Sequence, residues 1–272
     1  MIAPLKKRRG LTLAELLFLV IMIVTIASLV LPGCQRANKL DGRITCKSNL
    51  RQIGLATLMH HDTLKRLPRA YGTLNKNTGS VFFHLLPYME EMTLFQDATP
   101  ETSFVKLFHC PNDESNTYTH SIDGKVYGLS SYGANYHVFK LDKLNQITRG
   151  VTKTIFFTEK LAKCGNGGNA WGWNYTSDFT DGSQWNPLFG FTKMVKGIPP
   201  NSDTEIFNTN LPQIQPGTCD PARPSSNHLG FIHAAMGDSS VRYVSPDNYP
   251  GIGANWQYSM QPTVKSEVDD NW

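Results

Sequence analysis

The chain has 272 residues, with 26 Lys and Arg against 22 Asp and Glu, a formal charge of +4. Lys6, Lys7, Arg8 and Arg9 supply that whole excess, so the remaining chain is balanced and a nucleic-acid surface loses its electrostatic basis. Five cysteines, Cys34, Cys46, Cys110, Cys164 and Cys219, include no CxxC pair. That argues against a zinc site and for disulfides in an oxidising compartment, with a connectivity that spacing leaves open.

After Gly10, 21 residues from Leu11 to Leu31 carry a single charge, Glu15. A helix of that length rises about 30 Å, enough to cross a bilayer core. The cations ahead of it stay on the cytoplasmic side and send the rest of the chain outward. The expectation is a single-pass membrane protein with its N-terminus in the cytoplasm and the rest of the chain outside. Glu15 is the anomaly, because a carboxylate near an apolar core costs free energy. Cleavage after Gly10 would supply a cation to meet it, the α-amino group of Leu11.

Basic residues followed by Gly10-Leu11-Thr12-Leu13-Ala14-Glu15 resemble the processing site of type IV pilins and type II secretion pseudopilins. The resemblance implies that prepilin peptidase cuts between Gly10 and Leu11, and that the new N-terminus is methylated. It also implies that Glu15 meets the N-terminal amine of a neighbouring subunit during assembly. For the single-pass topology it implies an inner-membrane helix and a periplasmic head. Pro32 falls where many pilins carry a helix-kinking proline. Leu11 departs from the commoner phenylalanine at that position. Leu31-Pro32-Gly33-Cys34 also resembles a lipobox, in which Cys34 would be acylated. Pro32 fits that motif poorly, and the preceding run is too long for a signal-peptide core.

From Gln35 to Asp62 the sequence stays helix-compatible. Cys46, Leu50, Ile53, Thr57 and His61 recur at three- and four-residue spacings and define an inward face. The helix is expected to stop before Arg66-Leu67-Pro68-Arg69. Lys47-Ser48-Asn49-Leu50-Arg51-Gln52-Ile53-Gly54-Leu55-Ala56, with His60-His61-Asp62 and Leu67-Pro68, resembles a large bacterial family of prepilin-like proteins of unknown function. His60, His61 and Asp62 read as a polar helix end rather than a metal site, since no third ligand accompanies the two imidazoles.

Beyond Leu67 short apolar runs alternate with Gly, Asn, Asp and Pro. Val81 to Tyr88 suits a helix or a buried strand, and Glu90 to Gln96 a short helix. Cys110-Pro111-Asn112-Asp113 reads as a turn, and Ser130 to Tyr136 and Lys153 to Glu159 as strands. These stretches resemble landmarks of the same family. Trp171, Trp173, Tyr175, Phe179, Trp185, Phe189 and Phe191 crowd one segment and read as core filling, with a glycan platform as the alternative. Asp178 and Asp181-Gly182 read as a turn rather than a calcium loop. His228 to Val244 reads as a hairpin around Gly237-Asp238. His228 and Asp238 match the family's C-terminal His-x9-Asp-Gly signature and are expected to hydrogen-bond across that hairpin. Ser239 replaces the signature's glycine.

The resemblance implies a Cys46–Cys110 disulfide, both cysteines recurring in the related family. The pairing that goes with it joins Cys164 to Cys219 and leaves Cys34 free. The expected fold is α+β: a long N-terminal pilin-type helix packed on an antiparallel, β-rich head. Segments 1–10, 11–33, 34–65, 66–250 and 251–272 are leader, assembly helix, amphipathic continuation, head and loosely held tail. No nucleotide, hydrolase or metalloprotease signature is present, so neither enzyme activity, cofactor nor metal is expected. The expected function is a structural pseudopilin-like subunit, with prepilin peptidase, other pilin subunits and inner-membrane lipid as partners. The alternative is a membrane-anchored or lipoprotein extracytoplasmic protein that binds a ligand such as a glycan.

Overall fold

The computed structural model describes residues 13–165, 167–173, 185–190, 219–228, 230–245, 256 and 259–263, without the side chains of 27 and 29–41. Gly10 and Leu11 therefore lie outside the described residues, as do Tyr175, Asp178, Phe179, Asp181, Gly182, Phe191 and most of the tail. The side chains of Pro32 and Cys34 lie outside them too. The chain divides into two compact units, Met1–Gly42 and Arg43–Trp272, with the boundary inside helix α1 (Leu13–Leu64).

In the first unit α1 carries Glu15 in its opening turn. Leu13 to Ile26 expose apolar side chains on every face, Leu13 at 84% and Phe18 at 67%. The hydroxyls within this run turn back on the helix: Thr25 Oγ1 donates to the Met22 carbonyl and Ser28 Oγ to that of Thr25. Among the described residues no helix is long and apolar enough to cross a membrane. The described apolar side chains span about 21 Å of helix rise against a bilayer core of about 30 Å. Positions 27 and 29–31, which the expected span requires, fall outside the described side chains.

In the second unit the remainder of α1 is amphipathic. Cys46, Leu50, Ile53, Ala56 and Thr57 are buried, while Ile44, Leu55 and Met59 face outward. His60, rather than His61, completes the inward face. Lys65, with φ of 55°, ends the helix in the left-handed region, its N–H donating to the His61 carbonyl.

A small hairpin, β1 (Tyr71–Leu74) and β2 (Asn77–Ser80), leads into α2 (Val81–Leu85). The segment Val81–Leu85 is helical because Ser80 caps it, accepting from the Phe83 N–H, and all five residues are buried. α3 (Met92–Phe95) and a second hairpin, β3 (Thr119–Ile122) with β4 (Lys125–Gly128), follow. Strand β5 (Tyr132–Asn135) ends at α4 (Tyr136–Phe139), which Asn135 caps through the His137 N–H. The later strands are β6 (Ile155–Glu159), β7 (Lys163–Cys164), β8 (Gly167–Gly168), β9 (Leu188–Phe189), β10 (Ile232–Met236) and β11 (Val241–Val244).

The main sheet has the order β11-β10-β6-β5-β9. Its register places Ala234 and Gly133 on either side of Thr158. The α+β class is as expected, but the sheet is mixed rather than antiparallel, because β9 pairs with β5 in parallel. The long connection between them permits this; a tight turn would enforce an antiparallel pair. Helix α1 packs on the core with Phe82, Phe108, Tyr132, Phe139 and Phe157. Their rings meet at 5.0 Å for Phe82 and Phe108 and 5.1 Å for Phe139 and Phe157. Disulfides join Cys46 to Cys110 and Cys164 to Cys219. The first ties α1 to the turn at Cys110-Pro111-Asn112-Asp113, closed by Asp113 N–H donating to the Cys110 carbonyl.

Candidate functional site

The polar centre of the second unit is Glu159, the last residue of β6. Strand alternation alone would give it a neighbourhood on one face of the sheet; the segment before β10 completes that neighbourhood. Glu159 Oε1 accepts from His228 Nε2 at 2.9 Å and from His233 Nδ1 at 2.7 Å. Its Oε2 accepts from the His233 backbone N–H at 3.0 Å and from Ser226 Oγ at 2.8 Å. Asn112 Nδ2 donates to His228 Nδ1 at 3.3 Å, which leaves the ring proton on Nε2, facing Glu159. Cys110 Sγ lies 3.8 Å from His228 Nε2.

Burial by itself would raise the Glu159 carboxyl. The hydrogen bonds from His228 and His233, and then the electrostatic pull of those rings, outweigh it and hold the group at about 2. Side-chain exposure is 4% for Glu159, 1% for His228 and 0% for His233. A triad so enclosed does not reach a macromolecular substrate, and its chemistry is that of a charge-assisted lock. It holds the 226–233 segment against the sheet. That segment brings Phe231 to Arg43 and strand β11 brings Tyr243 to Lys47, at 5.2 and 5.1 Å from cation to ring centroid.

Two more buried ionisable groups flank the lock. Lys160 Nζ donates to the carbonyls of Asn186 and Leu188, and burial pushes its ammonium down to about 7, against a smaller opposing pull from Asp220. Burial raises the Asp113 carboxyl, while hydrogen bonds from Ser115, Ser131 and the Ala162 N–H oppose the rise. On the helix side Asn49 Nδ2 donates to the Tyr132 hydroxyl at 3.1 Å and to the His109 carbonyl at 2.9 Å. The elements around Glu159 are thus joined to one another through buried and partly buried polar groups.

The expected His228–Asp238 hydrogen bond is not formed. His228 turns inward to Glu159, whereas Asp238 is exposed and accepts from Ser240 N–H and Oγ within its own turn. Sequence spacing matched two residues that the fold points in opposite directions. Glu159 and His233 were not singled out from the sequence. The only signal was a strand ending in glutamate followed, 69 positions later, by the His228 motif; no spacing rule connects residues so far apart.

His60 and His61 do not converge. His60 Nδ1 donates to the Arg66 carbonyl at 3.1 Å, and burial lowers its pKa to about 4; His61 Nδ1 lies 3.8 Å from Asp62 Oδ1. Trp171 is fully buried, with Nε1 donating to the Ser103 carbonyl at 3.0 Å, so it belongs to the core and not to a binding platform. Trp185 is half-buried and stacks on His120 at 4.7 Å.

No curated protein and no solved structure gives a significant match to the chain. A family model described as "protein of unknown function (DUF1559)" matches residues 43–144. The match takes in Cys46, Asn49, Cys110, Asn112 and Tyr132 and ends before Glu159, His228 and His233. Residues 43–144, from the buried half of α1 to the loop after α4, form a DUF1559 family domain.

Proposed function

We propose that the chain is a structural, non-catalytic pseudopilin-like subunit. Prepilin peptidase cuts it between Gly10 and Leu11, and it packs helix against helix into a periplasmic filament of a type II secretion or type IV pilus-like system. The observation that carries this reading is the exposed surface of α1 from Leu13 to Ile26, apolar except at Glu15 in its first turn and Thr25. A helix apolar on every side needs lipid or other helices around it. In the inner membrane lipid covers that surface; in the filament neighbouring subunits do. Glu15 then offsets the buried amine of a neighbouring Leu11. Both disulfides suit an oxidising, extracytoplasmic compartment for the head.

The mass of the N-terminus in the membrane fraction tests the processing step. A start at Leu11 that shifts to Met1 in Gly10→Ala supports it; an Ala variant that still loses ten residues removes it. Glu15→Ala is expected to insert normally and fail to enter filaments, and normal incorporation would end the role given to that carboxylate. A start at Cys34 would instead favour the lipoprotein form.

One observation favours the tethered binding protein as a second reading. A partly open cleft of about 160 Å³ is lined by Tyr71, Glu101, Lys125 and Tyr127, with Lys125 Nζ 2.6 Å from Glu101 Oε1. Aromatic rings beside a charged pair suit a sugar ring. Saturable glycan binding by a dispersed monomer, lost in Tyr127→Ala, would select this reading over assembly.

A further inference from the structure

Cys46, Cys110, Glu159 and His228 come from four separate segments: helix α1, the 110–113 turn, the end of β6 and the loop before β10. All four are buried, and one donor atom from each lies within 4.8 Å of every other. Tetrahedral zinc places sulfur, nitrogen and oxygen donors about 3.3–3.8 Å apart. The outer limit of the set is therefore within roughly an ångström of that spacing, and the two sulfurs reach it only by parting when the disulfide opens. Its chemistry also suits zinc, which takes thiolate, imidazole and carboxylate together.

The surrounding hydrogen bonds resemble those that orient metal ligands. Glu159 is held from behind by Ser226 Oγ and the His233 N–H, and His228 is held at Nδ1 by Asn112. Ligands fixed in this way need little further ordering when a metal arrives. Cys110, Glu159 and His228 also line one small cavity together with Ser131 and Ser226.

We propose that these four side chains form a latent zinc(II) site, masked while Cys46 and Cys110 are joined and available once that disulfide is reduced. A dithiol reductant supplies two electrons and two protons. The S–S bond breaks, two thiols form, and the reductant closes its own disulfide. Zinc binding then releases the two thiol protons; the His228 Nε2 proton passes to Nδ1 as the Asn112 amide turns its Oδ1 to accept it, and two metal–ligand bonds replace the His228–Glu159 hydrogen bond. The metal cross-links the same segments that the disulfide joins and adds the strand carrying Glu159 and the loop carrying His228. The fold would thus have two alternative clamps at one place, one for oxidising and one for reducing conditions. The site is built from residues of the second unit and does not depend on assembly.

The test uses the full chain in detergent with Cys34, Cys164 and Cys219 changed to Ser, so that Cys46 and Cys110 are the only cysteines. Cobalt(II), as a spectroscopic stand-in, and zinc(II), in competition with a chromophoric chelator, are titrated into oxidised and reduced protein. The expected result is one equivalent bound by the reduced form, with a thiolate-to-cobalt charge-transfer band and tetrahedral d–d bands. Binding by the oxidised form is expected to be at least about 100-fold weaker, because it lacks both thiolates. His228→Ala is expected to weaken zinc binding by about 100-fold or more, at or beyond the upper end of second-shell losses. Resistance to proteolysis, followed in parallel, reports folding. If reduction alone loosens the chain, one equivalent of zinc is expected to restore resistance. No charge-transfer band, binding that persists after Cys46→Ser with Cys110→Ser, wild-type affinity in His228→Ala, or a loosened chain that zinc does not rescue would each overturn the proposal.

Discussion

Replacing Glu159 by Gln probes the buried lock, because it keeps the shape and removes the charge. The wild-type carboxylate accepts four hydrogen bonds, two from imidazole rings, and is held at about 2 instead of 4.5. That difference corresponds to about 3 kcal/mol of stability, at 1.36 kcal/mol for each pH unit. The amide of Gln has only one acceptor oxygen; with that oxygen on the two imidazoles, its NH2 faces the His233 backbone N–H, so that bond becomes a repulsive contact, and the charge assistance of the others is lost. Breaking one member of a buried charged network costs about 3–5 kcal/mol, the same size. The folded-state pKa lies below the unfolded one, so the contribution is fully present above about pH 4.5 and disappears as pH falls through about 2. Denaturant unfolding of the full chain without reductant, repeated from pH 7 to pH 2, measures it. Glu159→Gln is expected to be about 3 kcal/mol less stable at pH 7 and to approach wild type near pH 2. Equal stability at pH 7, or curves that stay parallel across that range, would refute the lock.

Lys160 gives the complementary alkaline signature. Burial lowers its pKa from 10.5 to about 7, so the unfolded state holds the extra proton between those values and stability rises with pH. The rise between pH 7 and pH 9 is expected to be about 2 kcal/mol in wild type and absent in Lys160→Met, read by the same unfolding assay; an unchanged rise in the variant would assign it elsewhere. Ser239 sits at φ of 66° with its Oγ buried and without a hydrogen-bond partner among the described residues. Ser239→Gly relieves the left-handed strain and the orphaned hydroxyl, less the entropy of glycine, for a net gain of about 1 kcal/mol. A loss of stability in that variant would mean that the contact between Ser239 and Gly54 of α1, where an added Cβ at Gly54 would lie 3.1 Å from Ser239 Oγ, matters more than the strain.

Much of the scaffold was legible in the chain. The helix and its inward face followed from periodicity, because burying Cys46, Leu50, Ile53 and Thr57 together requires 3.6-residue repetition. The stop near Lys65, the turn at Cys110 and the hairpin around Gly237 followed from local backbone chemistry that neighbours in sequence dictate. Ser239 shows how local that knowledge is. Sequence marked the position as one that favours glycine, and the structure places Ser239 there in the left-handed region all the same, because the turn between β10 and β11 demands it.

What sequence could not supply was orientation and distance. His228 and Asp238 sit at a recognisable spacing, yet one faces the core and the other the solvent, since a segment outside a regular strand has no fixed alternation. Glu159, His228 and His233 meet only because β10 pairs with β6 in one register, which folds the loop before β10 over the end of β6. The parallel placement of β9 had no local signal either. By itself the sequence determined the basic cluster ahead of Gly10, the apolar run with its single charge at Glu15 and the amphipathic helix, because each is a property of consecutive residues. Tertiary structure alone decided the buried carboxylate lock and the convergence of Cys46, Cys110, Glu159 and His228, because those depend on contacts between segments far apart in the chain.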